Sequence, residues 1–254
     1  MTQLLKSDQV KLTLAETRLL KDSVAIIADL VTEVRFRITK NGVELTAMDP
    51  ANVAMVIYRL LSSAFAEYKV EHETILAINL NDLKGVLRRV KPADTLTLTT
   101  GESKCVITLQ GTSKREFSLP LIDIDEREQK IPELKFAAVV TTTADMLADA
   151  IEDADIIGES VAFAIDDETF TVSSASDLSK AVIDIPADAA TAIKGVAGTR
   201  SKYSIEYLKR MTPAGKLATN VEISFSRDYP LRLDYKVIDK MELAFILAPR
   251  VEND

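Results

Sequence analysis

Apolar side chains recur along this chain with two periods, one typical of helices and one typical of strands. Four short segments have the helical period and are predicted to be helices: about Glu16 to Leu30, Leu80 to Lys91, about Ala144 to Asp155, and a segment that begins at Ser204. We expect Asn81 to cap the second helix and Pro92 to end it. Ser204 is the expected cap of the fourth helix, which we expect to end at Pro213.

Between the helices, apolar and polar residues alternate in pairs of segments that are separated by turn residues, as in antiparallel strands. The strongest hairpin signal is Asn41-Gly42. Other hairpins are predicted around Gly101, Asp167-Glu168 and Arg227-Asp228, and a last strand around Phe245. In the strand before Asp167, the alternation is assigned to Ala162 and Ala164. The predicted fold class is therefore α+β, with antiparallel sheets.

The predicted elements occur in the same order twice. Asn81 and Ser204 are 123 residues apart, and the strands that end near Met48 and Ser174 are 126 residues apart. A repeat of about half the chain indicates a duplicated domain. We predict an N-terminal domain over residues 1–118, a connector over 119–133 and a C-terminal domain over 134–254. The connector is acidic, lacks glycine and has a proline near each end, which is typical of an extended linker.

Composition excludes several classes of protein. The 254 residues are 47% hydrophobic and 28% charged, typical of soluble globular domains. No apolar run has the roughly 20 residues of a membrane span, and residues 1–11 lack the apolar stretch of a secretory signal. The single cysteine, Cys105, cannot form an internal disulfide, so we expect a cytosolic protein. A net charge of −8 argues against simple nucleic-acid binding, although local patches can differ.

Catalytic motifs are not found. The eight glycines are isolated, and none belongs to a phosphate-binding loop. His72 could act as the base of a Ser-His-Asp site, but the sequence has no nucleophile-elbow motif. Cys105 has no base paired to it in sequence, so a structural thiol is favoured over a nucleophile. The third helix has an acidic face that includes Asp145, Asp149 and Glu152, where a divalent cation is one interpretation and a solvated face is the other. We expect a protein that is not an enzyme and needs no cofactor or metal.

Basic residues, by contrast, recur at matching places in the repeat. The second helix segment, Leu80–Lys91, has four basic residues and one acidic residue. The fourth segment, Ser204–Lys216, has three basic residues and one acidic residue. Positive charge on equivalent helices of a negative protein indicates a shared anionic partner. Because no aromatic side chains are interleaved, the pattern favours contact with phosphates over base stacking.

Five segments along the chain resemble the proliferating cell nuclear antigen family, the sliding clamps of archaeal and eukaryotic DNA replication. They are Leu45–Val53 (LTAMDPANV), the connector from Asp123 to Pro132, Tyr203–Leu208 (YSIEYL), Tyr229–Leu231 (YPL) and Leu247–Val251 (LAPRV). The resemblance spans about Val10 to Val251. It implies that three two-domain subunits close into a ring, with sheets outside and helices lining the hole, through which DNA passes without sequence-specific contact.

The resemblance also implies roles for individual residues. It places DNA-lining positions at Lys21, Arg88 and the neighbourhood of Lys209 and Arg210, and position on the helices adds Arg18, Lys84, Arg89, Lys91 and Lys216. Short peptides of the polymerase, clamp loader, flap nuclease and DNA ligase are expected to dock at Met48, Asn52, Val53, Ile124, Ile131, Pro132, Pro230, Ile246, Ala248 and Pro249. The subunit interface is expected to join edge strands at about Lys114–Leu119 and Lys180–Ile185, with Lys114, Arg115 and Phe117 on one side and Lys180, Val182 and Asp184 on the other.

The acidic third helix and the highly charged connector segment 126–130 depart from the family pattern. Four interpretations therefore stand at this point: a homotrimeric clamp, one subunit of a heterotrimeric clamp, a protein-interaction scaffold that does not bind DNA, and a metal-dependent enzyme that uses the acidic helix. The first is favoured, because this chain carries both edge strands and a full docking surface. A clamp of this family is expected in the cytoplasm of an archaeon or the nucleus of a eukaryote.

Overall fold

The same series of elements is present twice in the structure, a computed structural model that describes residues 10–101, 103–124, 129–166 and 168–250. Each series runs strand, helix, five strands, helix, three strands. The helices of the second series begin 126 and 125 residues after those of the first. The structure therefore confirms the predicted repeat and the α+β class.

The first series contains two helices and nine strands. The helices are α1 (Arg18–Ile27) and α2 (Leu80–Leu87). The strands are β1 (Lys11–Leu14), β2 (Glu33–Ile38), β3 (Gly42–Met48), β4 (Ala54–Leu61), β5 (Glu67–Lys69), β6 (Thr74–Asn79), β7 (Thr95–Thr100), β8 (Lys104–Gln110) and β9 (Lys114–Pro120).

The second series also contains two helices and nine strands. The helices are α3 (Ala144–Asp155) and α4 (Ile205–Met211), and a 3-10 turn, Thr212–Lys216, follows α4. The strands are β10 (Ala138–Thr143), β11 (Ser160–Ile165), β12 (Thr169–Ala175), β13 (Lys180–Pro186), β14 (Ala192–Gly195), β15 (Arg200–Ser204), β16 (Asn220–Phe225), β17 (Leu231–Val237) and β18 (Met241–Leu247).

The described residues form two compact units. The first unit comprises those of Met1–Ala47, Ile57–Gln129 and Val237–Glu242. It contains the five-stranded sheet β5-β1-β7-β8-β9, and the strands β4-β3-β2-β6 lie side by side in that order. Its largest fully buried side chains are mostly aliphatic, among them Leu14, Ile27, Ile38 and Leu60. Helices α1 and α2 pack against each other, with Leu20, Val24, Leu83 and Leu87 buried.

The second unit comprises the described residues of Met48–Val56, Lys130–Lys236 and Leu243–Asp254. It contains the four-stranded sheet β13-β12-β11-β15 and the neighbouring strands β14-β10-β16-β17-β18. Its core is aromatic: the ring centroids of Phe163 and Phe170 are 5.3 Å apart, and those of Phe163 and Phe225 are 6.1 Å apart. Edge-to-face rings at such distances add to the stabilisation from burial. Helices α3 and α4 pack against each other in this unit.

The helix boundaries differ from the prediction where side chains compete for backbone groups. Helix α2 is capped by the side chain of Asn79, which accepts from the N–H of Asn81, so Asn81 is not the cap. The helix ends at Leu87, earlier than predicted, because the Asp94 carboxylate accepts the Lys91 N–H at 2.7 Å and holds the next residues in a turn.

The other three predicted helices differ less. Ser204 takes the N-cap position of α4, but its side chain makes no capping hydrogen bond. Pro213 does not end the helical path, since it lies inside the 3-10 turn that continues α4. Helix α1 is shorter than predicted at both ends, and α3 has the predicted bounds.

The assignment of alternating positions in β11 was wrong. Phe163 lies opposite Val172 in the register, and Ile165 lies opposite Phe170. Cross-strand partners share one face of a sheet, so Val161, Phe163 and Ile165 form the core face of β11 rather than Ala162 and Ala164. Alanine and phenylalanine are both apolar, so the sequence does not show which alternate set of residues faces the core. Only the pairing register decides this.

Parts of some predictions fall on residues that the structure does not describe. Residues 125–128 of the predicted connector, Asp167 of the third hairpin and Val251 of the last family segment lie outside the described residues. At the start of the connector, the N–H groups of Leu121 and Ile122 donate to the carbonyls of Ser103 and Ala77 at 3.0 and 3.1 Å. These bonds attach this segment to the first unit.

Candidate functional site

In the first unit, a lysine of the second helix is tied to the end of the first helix. The Lys84 ammonium lies 2.6 Å from an Asp29 carboxylate oxygen and donates to the Ala25 carbonyl at 3.2 Å. The Lys84 side chain is only 17% exposed. A lysine that lies along a helix terminus and a carboxylate in this way satisfies a terminal carbonyl as well as pairing charge. The ion pair therefore fixes α1 against α2.

The second unit contains the same arrangement. The Lys209 ammonium of α4 lies 2.5 Å from a carboxylate oxygen of Asp155, the last residue of α3, and 3.7 Å from one of Glu152. The hydrogen bond to Asp155 raises the pKa of Lys209. Lys84 and Lys209 are 125 residues apart, and Asp29 and Asp155 are 126 apart. The two ties thus occupy equivalent places in the repeat, and each engages a lysine that the sequence analysis assigned to DNA.

The remaining basic residues of the first unit lie at or after the ends of its helices. Arg88 occupies the C-cap position of α2, and Arg89 and Lys91 follow in the turn. All three side chains are exposed. On α1, Arg18 is exposed and Lys21 is half-buried. The structure therefore places three predicted DNA-binding residues in one exposed cluster, Arg88, Arg89 and Lys91, after the end of the helix.

In the second unit the basic residues are more constrained. The Arg210 guanidinium forms an ion pair with Glu206 one helical turn earlier. It also lies 5.5 Å from the ring centroid of Tyr207, within cation–π distance. Lys216 is exposed at the end of the 3-10 turn.

The two helix pairs carry opposite net charge. Residues 18–29 and 80–91 of the first unit contain six basic and three acidic side chains, a net charge of +3. Residues 144–155 and 204–216 of the second unit contain three basic and six acidic side chains, a net charge of −3. The two helix pairs are therefore equivalent in structure but differ in electrostatic potential: the pair of the first unit attracts an anion and the pair of the second unit repels it.

The predicted docking residues belong to the second unit, except Ile124, which is half-buried in the first. Ile131 is 41% exposed, and Asn52 and Pro132 are exposed. Met48, Val53, Pro230, Ala248 and Pro249 are half-buried. Ile246 is buried in β18 and offers little surface. The Ala248 N–H donates to the Val53 carbonyl at 2.9 Å, which joins the segment after β18 to the loop before β4.

That loop, Asp49–Val53, is organised by one carboxylate that the sequence analysis did not single out. Asp49 Oδ1 accepts the N–H groups of Val53 and Ala54, both at 2.7 Å, and Oδ2 accepts that of Ala51 at 3.2 Å. Asn52 adopts the left-handed conformation, with φ of 56°, which asparagine tolerates. Burial raises the pKa of Asp49, but its hydrogen bonds outweigh burial and leave the pKa below its ordinary value.

Both strands of the predicted subunit interface are terminal strands of their sheets in the described residues. On β9, Lys114 pairs with Glu116 at 3.6 Å, and Phe117 lies opposite Ile107. Arg115 is turned inward, since it forms an ion pair with Asp94 and donates to the Arg89 carbonyl at 2.8 Å. It is therefore held within its own unit, a contact that the sequence pattern does not reveal.

On the second edge strand, β13, Val182 is 48% exposed and Lys180 is exposed. Asp184 accepts a hydrogen bond from the Thr171 hydroxyl at 2.8 Å. Both strands have exposed residues at alternating positions. An uncovered edge with unpaired backbone groups is a template for pairing with another chain.

The candidate chemistry is limited. Burial raises the pKa of Cys105 to about 12, which suits a structural thiol. Among the described residues, no group of three or more His, Cys, Asp or Glu side chains is arranged to hold a metal ion, and this includes the acidic face of α3. The longest described helix, α3, has 12 residues, and none in the described part of the chain has the length and hydropathy of a membrane span.

Comparison with known proteins identifies the family. The family model of the proliferating cell nuclear antigen N-terminal domain matches residues 10–129, and that of its C-terminal domain matches residues 130–250. The DNA polymerase sliding clamp of Thermococcus gammatolerans is 36% identical over 235 residues, which cover 91% of this chain and 94% of the relative. That of Nanoarchaeum equitans is 32% identical over 247 residues, which cover 95% and 99%.

A solved structure agrees with these matches. The crystal structure of PCNA from Thermococcus kodakaraensis superimposes with a TM-score of 0.89 at 28% sequence identity, covering 95% of this chain and 100% of that chain. Both repeats and nearly the whole described length are therefore accounted for by one family. The chain belongs to the proliferating cell nuclear antigen family.

Proposed function

We propose that this chain is a DNA sliding clamp, a non-catalytic processivity factor that tethers DNA polymerase to duplex DNA. Three copies close into a ring around the duplex. The observation that carries the proposal is the repeated unit, which presents an adjacent helix pair in each half and ends a sheet on an uncovered strand in each half. A head-to-tail ring covers such edges without leaving one free. The proposed domains are residues 1–118 and 134–254, joined by the connector 119–133.

DNA is proposed to contact the first unit more than the second. Arg88, Arg89 and Lys91 supply exposed positive charge, together with Lys21 and Arg18 on α1. Lys84 and Lys209 act mainly as helix ties, and Arg210 and Lys216 contribute on a helix pair of net negative charge. Affinity for free linear duplex is expected to be weak and to fall steeply with salt, because few phosphates are neutralised. Enclosure, rather than affinity, then holds the clamp on DNA.

Retention on DNA tests this proposal. After loading by a clamp loader, the protein should remain on closed circular DNA and be lost when the circle is linearised. Replacing Arg88 and Arg89 by glutamate should reduce loading, because two phosphate-facing cations become anions. Lys40→Glu, an exposed charge change in the β2–β3 turn, is the matched control. Equal retention on circular and linear DNA would contradict a sliding clamp and favour a scaffold that does not encircle DNA.

Solution mass separates a homotrimer from a subunit of a heterotrimer. The purified chain should have three times the mass of the 27.9-kDa polypeptide in light scattering. A persistent monomer would favour the heterotrimeric alternative. We further propose that the assembly acts in the cytoplasm, beside the DNA.

Clients are proposed to dock on the second unit at the half-buried apolar residues around Ala248 and Pro249, joined to Val53 by a backbone hydrogen bond. The polymerase, clamp loader, flap nuclease and DNA ligase are proposed to insert a helical turn with aliphatic and aromatic anchors there. Pro249→Glu should abolish binding of such a peptide and leave the trimer intact. Unchanged peptide binding by this variant would show that the peptide docks elsewhere on the chain.

A further inference from the structure

The loop between β3 and β4 is held by a hydrogen bond that comes from outside the loop. The Tyr207 hydroxyl on α4 donates to Asp49 Oδ2 at 2.7 Å, across 158 residues of sequence. Asp49 is 5% exposed, and its carboxylate is the common acceptor for the N–H groups of Ala51, Val53 and Ala54. The carboxylate therefore supplies three hydrogen bonds that hold the loop, beside two backbone bonds, from the Asn52 N–H to the Asp49 carbonyl at 3.0 Å and from the Asp49 N–H to the Ala54 carbonyl at 2.8 Å.

The two carboxylate oxygens are not held equally from within the loop. Oδ1 accepts two backbone N–H groups at 2.7 Å, whereas Oδ2 accepts one, from Ala51, at 3.2 Å. The bond from Tyr207 is therefore the shorter of the two on Oδ2. Without it, Oδ2 loses its stronger donor in a buried setting, where an unmet acceptor is costly. The carboxylate and the three N–H groups around it then lose their single arrangement.

The loop in turn fixes the proposed docking surface. Met48 precedes the loop and Val53 is its last residue, and the Val53 carbonyl accepts the N–H of Ala248 from the segment that carries Pro249. We propose that Tyr207 is a positioning residue of this surface: its hydroxyl orients the Asp49 carboxylate, and through it holds the loop and the Ala248 segment in the conformation that receives a client peptide. The functional part of this inference rests on the proposed docking of client peptides.

Amide hydrogen exchange tests the positioning role without a client. In full-length Tyr207→Phe, which keeps the ring beside Arg210, exchange of the Val53 and Ala54 amides should accelerate by about tenfold or more, the effect of losing one hydrogen bond to a charged group. Tyr68→Phe is the matched control, since the Tyr68 hydroxyl also donates one short bond, to the Thr39 carbonyl at 2.6 Å in the first unit. Unchanged exchange at Val53 and Ala54 in Tyr207→Phe would overturn the proposal.

Peptide binding tests the consequence. The probe is a fluorescein-labelled synthetic peptide with aliphatic and aromatic anchors on one helical turn. Its dissociation constant should rise about threefold to tenfold in Tyr207→Phe and stay unchanged in Tyr68→Phe, because the peptide must then order the loop as it binds. If the wild-type chain does not bind the peptide, the proposed docking fails while the exchange result still stands. If exchange accelerates and peptide affinity does not change, the positioning role is overturned.

A double-mutant cycle separates this route from general destabilisation. In an Asp49→Ala background, Tyr207→Phe should have no further effect on peptide affinity, because the hydroxyl acts only through the carboxylate. Equal effects in both backgrounds would show that Tyr207 acts in another way and would overturn the assignment. The melting temperature of each variant, measured alongside, verifies that the chain is folded.

Discussion

At the residue scale, Glu67 offsets the repulsion between two lysines on neighbouring strands. Lys11 on β1 and Lys69 on β5 are direct cross-strand partners, an arrangement in which like charges repel. Glu67 lies on the same face, 2.7 Å from the Lys11 ammonium and 2.6 Å from that of Lys69. Hydrogen bonds from Lys11 and then Lys69 lower the pKa of Glu67 from 4.5 to about 2. Its charge therefore stabilises the edge of the first unit.

This pKa predicts a pH dependence of stability. Because the folded-state pKa is lower than the unfolded value, the contribution of Glu67 is fully present above about pH 4.5 and is lost as the pH falls towards 2. Glu67→Gln should therefore lower the melting temperature at pH 6 and have little effect near pH 2. Thermal melts of both proteins over this range measure it. Glu222→Gln, which removes an exposed carboxylate of β16, is the control, and a pH-independent difference would contradict the assignment.

At the element scale, the two helix pairs are joined by the same device, a lysine of the second helix paired with a carboxylate at the end of the first. The excess of basic residues in Leu80–Lys91, among them Lys84, Arg88 and Lys91, predicted contact with an anion. Spacing does not reveal that Asp29 and Ala25 lie within reach of the Lys84 ammonium, since that depends on how two distant helices pack. The helix tie is thus a tertiary feature.

The Lys84 tie predicts a stability effect. Lys84→Met keeps the apolar stem but removes the ion pair and the bond to the Ala25 carbonyl, so the free energy of unfolding should fall by about 1 kcal/mol. Denaturant titration measures the change. Arg88→Met, in the exposed turn after α2, should leave stability within about 0.5 kcal/mol of wild type. Equal losses from the two substitutions would contradict a specific role of Lys84.

Glycines in two elements predict opposite effects. Gly85 lies within α2, where an added Cβ meets nothing within 4 Å, so Gly85→Ala should stabilise by about 1 kcal/mol through helix propensity and reduced unfolded-state entropy. Gly195 ends β14 with φ of 145°, and an added Cβ would lie 2.3 Å from the Ala137 carbonyl oxygen. Gly195→Ala should therefore destabilise by roughly 1–3 kcal/mol. Denaturant titration measures the free energy of unfolding of each variant. A change of the same sign for both substitutions would contradict the prediction.

At the scale of the whole molecule, assembly and DNA contact depend on features that each unit presents outward. The edge strands β9 and β13 have exposed residues that alternate with more buried ones, as expected for strands with one face towards the core and one towards solvent. Lys114 is already paired with Glu116, and Arg115 with Asp94, so apolar residues and backbone groups are expected to contribute more to the proposed interface than charge pairs.

This view predicts that a charge on β13 prevents assembly. Val182→Asp places a carboxylate where the proposed interface would desolvate it, and the dissociation constant of the assembly should rise by roughly 100-fold or more. Ile238→Asp, at an 86% exposed position in the turn between β17 and β18, is the matched control. Light scattering over a dilution series measures both. If Val182→Asp assembles like wild type, β13 is not at the interface.

The sequence predicted local features well where a short-range rule governs them. The hairpin at Asn41-Gly42 and the helix α3 follow from turn chemistry and helical period, and the structure confirms both. The predicted end of α2 was wrong, because it depends on the Asp94 carboxylate. The predicted core face of β11 was also wrong, because it depends on the register with β12. Of the candidate site, positive charge on equivalent helices was visible in the sequence, but which cations are held in ion pairs was not.

The sequence by itself determined the α+β class, the duplicated unit and the family. Periodicity and the order of motifs depend only on the order of residues along the chain and need no knowledge of contacts in space. Only the tertiary structure decided which charged groups face each other. It paired Lys84 with Asp29 and Lys209 with Asp155, and it brought the Tyr207 hydroxyl to the Asp49 carboxylate from 158 residues away. The physical reason is that hydrogen bonds and ion pairs act over about 3 Å in space, and only packing brings such distant residues that close.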